Sequence, residues 1–168
     1  MSELSEQLNT VYSTMDGSSA VEAYAKRHGI RSAAVLTVHD DETAELVAGY
    51  LAPRIEGKVV VEIGGGIGLL AMYLGDYAKR VFCIEANPMW SWTFAALLLK
   101  NKPKNVSYLF GMASEFAGQL RGDVALFCTH SDTAGMREAA RPFADTIIDV
   151  YGEILLPHQN ELRSAQRR

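Results

Sequence analysis

Between Val59 and Leu70 the chain reads Val-Val-Val-Glu-Ile-Gly-Gly-Gly-Ile-Gly-Leu-Leu, and this stretch narrows the possible folds more than any other. Its first five residues hold one polar member, Glu62, and predict a strand covered on both faces. Gly64, Gly65, Gly66 and Gly68 follow, and a helical pattern begins at Leu69. A chain that leaves a buried strand and enters a helix this quickly must turn sharply. Glycine permits the positive φ angles of such a turn and removes the Cβ that would keep a ligand off the backbone. The helix start would then face the ligand with unpaired N–H groups.

The rest of the chain fits that frame. Arg80 to Glu85, Asn105 to Phe110, Asp123 to Cys128 and Thr146 to Val150 are further strand candidates. Helical patterns stand between them. Asn87 is placed to cap one, with Pro88 at its first position, and another runs from about Ala134 to Arg141 before Pro142. Strands and helices in alternation predict an α/β fold: a mostly parallel, Rossmann-like sheet between two helical layers. Upstream, Leu4, Leu8, Val11 and Met15 share a helical stripe, and Ser19 with Glu22 reads as a capping box before a stop at Gly29. Asp40 and Asp41 can cap a third helix, with Ala44, Val47, Ala48 and Leu51 on its apolar face and its end at Pro53. The expected division is a helical segment over 1–38 and a ligand-binding domain over 39–168, together one compact domain.

The size, 168 residues, suits such a domain. A net charge of −4 with both signs interspersed weighs against a surface built to track a phosphate backbone. Cys83 and Cys128 each stand in an apolar run and read as reduced core thiols. Together with four histidines they do not supply a metal site at ligand spacing. The opening residues lack a signal-peptide pattern, and the apolar stretch from Trp90 to Leu99 is far short of the ~20 residues a membrane span needs. A cytoplasmic protein is expected.

The glycine spacing and two acids then narrow the ligand. A dinucleotide fingerprint counted from Gly64 needs glycine at position 69, where Leu69 stands, and no Gly-Lys-Ser/Thr marks a P-loop. Glu62 suits the ammonium and sulfonium of S-adenosylmethionine better than a pyrophosphate. Glu85 ends the second strand, where a carboxylate can accept from both hydroxyls of a ribose. Read singly, the glycines could be a plain turn and Glu85 a solvated strand end. Another adenosine ligand also stays open.

From roughly Val38 to Gly152 the sequence resembles the class I S-adenosylmethionine-dependent methyltransferases. Glu62-Ile63-Gly64-Gly65-Gly66-Ile67-Gly68 matches their first motif, and Val81 to Pro88 looks like their second. Gly111 to Phe116 is similar to the segment after the third strand, and Gly122 to Cys128 to the fourth strand. The resemblance implies that Glu62, Gly64, Gly65, Gly66 and Gly68 hold the methionine end and Glu85 the ribose. Ala86 and Asn87 would border the adenosine, and Met112 with Ala113 the adenine. His39 would close over the methionine end, and Thr129 would complete the cofactor side. Family members often carry an acid where Met112 stands, leaving backbone groups or Ser114 for the adenine. They also usually add an antiparallel pair after the fifth strand, which is not expected here. A second copy of the chain, forming a homodimer, or the N-terminal helices would then cover that sheet edge.

Methyl transfer requires mainly orientation of the acceptor, plus a base if the acceptor carries a proton. The acceptor side should lie at Thr129-His130-Ser131-Asp132, with His130 the base candidate; a loop histidine without a catalytic task is the plainer reading. The segment lacks the Asn/Asp-Pro-Pro-aromatic pattern of base-amine methylation, which disfavours nucleic acid and favours a small-molecule or protein acceptor. Trp90 and Phe94 share a helix face suited to packing. The alternative to an enzyme is a binding module that keeps the cofactor pocket without catalysis.

Overall fold

The computed structural model describes residues 38, 41–87, 90, 102–129 and 132–160. The expected N-terminal helices, His39, His130, Phe94 and most of the segment after Pro88 lie outside the described residues. Helix α1 (Asp41–Ile55) leads to β1 (Val59–Ile63), α2 (Leu69–Leu74) and β2 (Arg80–Glu85). Then come β3 (Val106–Phe110), a one-turn helix α3 (Ala113–Phe116), β4 (Val124–Phe127), α4 (Thr133–Ala140) and β5 (Thr146–Asp149). A π-helical turn, Tyr151–Leu155, follows β5. Each expected strand is present with bounds within a residue of those read from the sequence.

The five strands pair in the order β3-β2-β1-β4-β5, every pair parallel. The chain steps outward from β1 to β3, then returns past β1 to lay down β4. That reversal puts a crevice at the carboxyl ends of β1 and β4, where open α/β sheets bind ligands. The register brings those ends level: Ile63 pairs with Ile84 on one side and Phe127 on the other, and Glu85 pairs with Phe110.

Strand alternation divides the core into two layers. Val60, Val81, Cys83, Leu126 and Ile148 face α1, α2 and the π-helical turn, meeting Val47, Leu51, Ile55, Leu70, Leu74 and Trp90. Val61, Ile63, Ile84, Ala125 and Phe127 face the other side, toward Ala140 and Phe143. Burial of each such aliphatic side chain contributes ~1.5–3 kcal/mol, so the double-sided sheet carries most of the fold's stability. Trp90 packs in this core as its helical spacing implied. Cys83 is buried, Cys128 only half-buried, and neither is in a disulfide.

One helix end differs from the sequence reading. Helix α1 does not stop at Pro53 but runs through it to Ile55. Pro53 has no N–H to give the Gly49 carbonyl, and the fully buried Ile55 holds the last turn in the core despite that cost. The helix is closed two residues later by Gly57, at φ 69°, whose N–H donates to the Tyr77 carbonyl at 3.1 Å.

Beside β5 no antiparallel strand occurs among the described residues. The π-helical turn is fixed instead by side chains. Asp149 N–H donates to Glu153 Oε1 at 2.9 Å, Gly152 N–H donates to Asp149 Oδ1 at 3.0 Å, and Arg54 Nη1 pairs with Glu153 Oε2 at 2.7 Å. The ion pair is half exposed and contributes little by itself. Its effect is to tie the end of β5 to α1.

Candidate functional site

The turn after β1 needs its glycines for two separate reasons. Gly64, Gly66 and Gly68 hold φ angles of 68°, 59° and 72°, which side-chain-bearing residues rarely adopt. Gly65 is not strained in this way but has no room: a Cβ there would overlap the Cys83 sulfur and stand 2.9 Å from Glu62 Oε2. The turn is fastened from below. Ile67 is buried in the core, and the N–H groups of Gly64 and Gly65 both donate to the Ile84 carbonyl, at 2.8 and 3.2 Å.

Gly66 is gripped at both ends of its peptide units. Its N–H donates to Glu85 Oε2 at 2.7 Å, and its carbonyl accepts from the Tyr108 hydroxyl at 2.8 Å. The other oxygen of Glu85 accepts from Asn87 N–H at 2.6 Å. Glu85 is thus buried at the end of β2 and bonded to the backbone on both sides. Burial raises its pKa, opposed by the N–H bonds from Asn87, Gly66 and Ala86. Each carboxylate oxygen has two lone pairs, so acceptor capacity remains for a ligand hydroxyl.

Glu62 lies one strand over, 2 % exposed and in register with Cys83. The Cys83 thiol hydrogen-bonds to its carboxyl, while Glu62 Oε2 has no hydrogen-bond partner among the described residues. Burial pushes the Glu62 pKa up to about 8, against the Cys83 bond and with a further push from the Glu85 charge. The same surroundings, burial first and then the two acids, push the Cys83 thiol well above its ordinary range. Neither acid has an ion-pair partner among the described residues. Two buried carboxyls without a cation, beneath a turn stripped of side chains, suit a ligand that brings its own positive charge.

The remaining sequence-derived positions fall around this centre. Gly64, Gly65, Gly66, Gly68, Glu62, Glu85, Ala86 and Asn87 gather at the ends of β1 and β2. Met112 and Ala113 follow β3 directly, held close by Gly111 N–H donating to the Glu85 carbonyl at 2.9 Å. Thr129 follows β4 on the far side of β1 and is half-buried. His39 and His130 lie outside the described residues. Four neighbours carried no signal in the sequence: Cys83, Tyr108, Glu115 and Met136. Glu115 Oε2 accepts from Met112 N–H at 2.6 Å, and the Met136 methyl would be 3.0 Å from a Cβ on Gly64. Among the described residues no His, Cys, Asp or Glu group could hold a metal, and no helix is long and apolar enough to cross a membrane.

No family model and no curated protein matches the sequence. Solved structures do. The chain is similar to a proposed RNA methyltransferase of Pyrococcus horikoshii, at 25 % identity and TM-score 0.51 over 62 % of this chain and 57 % of that one. It is similar to precorrin-6y C5,15-methyltransferase of Geobacter metallireducens, at 17 % identity and TM-score 0.54, over 80 % and 74 % of the two chains. A methyltransferase of Thiobacillus denitrificans bound to S-adenosyl-L-homocysteine is 20 % identical, TM-score 0.53, over 68 % and 49 %. The chain has the Rossmann-like fold of the class I S-adenosylmethionine-dependent methyltransferases. It spans little more than half the length of the Pyrococcus protein and about half that of the Thiobacillus one.

Proposed function

We propose that the chain binds S-adenosylmethionine at the turn between β1 and α2 and uses it to methylate a small-molecule or protein acceptor. The observation that carries this reading is the buried oxygen of Glu62, without a partner among the described residues, beneath a turn with no space for a Cβ at Gly65. Glu62 and the glycines would hold the amino-acid end, Glu85 the ribose, and Ala86, Asn87, Met112 and Ala113 the adenosine. When bound, this ligand supplies a methyl group on a positively charged sulfur, already activated toward a nucleophile.

The chain's own part is to bind and orient. Thr129, at the end of β4, lies where an acceptor would approach, and the segment that follows it in the sequence supplies His130 as the base where one is needed. Asp132 ends that loop at φ 50°, its carboxylate accepting from Gly135 N–H at 3.2 Å, which fixes the start of α4. The likeness to a proposed RNA methyltransferase adds RNA to the acceptors worth testing. The absent Asn/Asp-Pro-Pro-aromatic pattern bears only on base amines.

Calorimetric titration tests the reading. S-adenosylmethionine and its demethylated product should bind and NAD should not, and Glu85→Ala should weaken binding by about tenfold or more, as expected for hydrogen bonds to a charged group. Absence of binding by both sulfur ligands would end the proposal. Methyl-release assays over small molecules, proteins and RNA, with His130→Ala beside the wild type, then separate an enzyme from a binding module.

A further inference from the structure

The two acids at the site do not play equal parts. Glu85 is stabilised by backbone N–H groups on both oxygens, the usual way a protein keeps a buried carboxylate ionised. Glu62 has the Cys83 thiol, a weak donor, on its carboxyl and, among the described residues, nothing on Oε2. A charge there would be dry, unpaired and close to a second negative charge.

Among the described residues the surrounding elements supply no relief. Strand β2 contributes Cys83 and Glu85, and β4 sets Leu126 opposite Glu62. Helix α2 begins with Leu69 and Leu70, and the Tyr108 hydroxyl from β3 is committed to the Gly66 carbonyl. On α1, Asp41 accepts from the Tyr73 hydroxyl at 2.9 Å. Arg137 of α4 lies over the Phe127 ring and acts on Glu153.

We infer that Glu62 is the neutral acid in the free protein and gives up its proton when the cationic end of the ligand docks, so that ligand charge replaces proton. This rests on the reading of the site as one for S-adenosylmethionine. The exchange is balanced. The O–H bond of the Glu62 carboxyl breaks, the proton passes to buffer, and the new carboxylate faces the ligand's ammonium and sulfonium. Binding then favours ligands that carry positive charge into the turn. The pKa of about 8 sets the window: at pH 7 most of the free protein still holds the proton.

Titrating the full chain with S-adenosylmethionine at pH 7, in phosphate and in Tris, reads the protons exchanged, because these buffers differ in heat of ionisation. The expected result is close to one proton released per ligand, with affinity falling about tenfold between pH 7 and pH 6. Glu62→Gln, neutral and nearly isosteric, should release none and show no change over that interval. Binding without buffer dependence, or undiminished release by a folded Glu62→Gln protein, overturns the inference and leaves the site reading intact. No binding in either buffer removes the site reading as well. If Glu62→Gln does not fold, infrared difference spectra of the wild type decide the matter. Loss of a protonated-carboxyl band on adding ligand supports the exchange, and an unchanged band refutes it.

Discussion

Glu62 makes the ligand-free protein's stability depend on pH in an uncommon direction. Its carboxyl ionises near 4.5 when unfolded and near 8 when folded. Between those values the folded form holds more protons, so this residue's contribution to stability declines as pH rises through the window and levels off above it. Urea melts without ligand should therefore show Glu62→Gln matching the wild type near the lower value and exceeding it by a few kcal/mol near the upper one. Gly65 supplies a second prediction. Gly65→Ala drives a methyl into the Cys83 sulfur, at a cost of ~1–3 kcal/mol, and Cys83→Ala in the same chain should recover part of it. Glu62, Glu85 and the glycines were legible in the sequence because spacing alone relates them to one turn. Cys83, Tyr108 and Met136 were not, since their partnerships depend on strand register and on which helix lies over the turn.

At the scale of elements, the strands were legible because parallel strands buried on both faces are written as short apolar runs. The end of α1 was misread for an equally physical reason. Local chemistry at Pro53 argues for a stop, but tertiary burial of Ile55 prevails over it. Gly49, in the same helix, has open space where a Cβ would go and no positive φ. Gly49→Ala should raise the chemical-denaturation stability by ~0.5–1 kcal/mol through lost backbone entropy in the unfolded chain. The one-turn helix α3 had no periodicity to reveal it. It exists because Glu115 folds back onto the Met112 N–H.

For the whole molecule, alternation of strands and helices was enough to predict parallel pairing, while the order β3-β2-β1-β4-β5 comes from the structure, since nothing local in the sequence fixes that β4 returns past β1. Strands β3 and β5 each have one partner among the described residues, so each has a second edge to account for. Either a second copy of the chain or the N-terminal helices would cover the β5 edge, and light scattering at micromolar concentration separates the two: twice the monomer mass supports the first, a monomer at all concentrations refutes it. Ligand at a hundredfold over its Kd should raise Tm by ~2–4 °C per kcal/mol gained, with Glu85→Ala removing about half of the shift or more.

The double grip on Gly66 bears on timing. With Glu85 on its N–H and Tyr108 on its carbonyl, the two peptide units flanking Gly66 are each held, and the entropy of ordering this residue, ~1–2 kcal/mol per residue, is given up during folding rather than on encounter. A ligand arriving there meets a rim already ordered at Gly66, and residence time rather than arrival rate should distinguish strong from weak ligands. Loosening the rim with Tyr108→Phe should speed hydrogen exchange at the Gly66 amide and slow association in stopped flow.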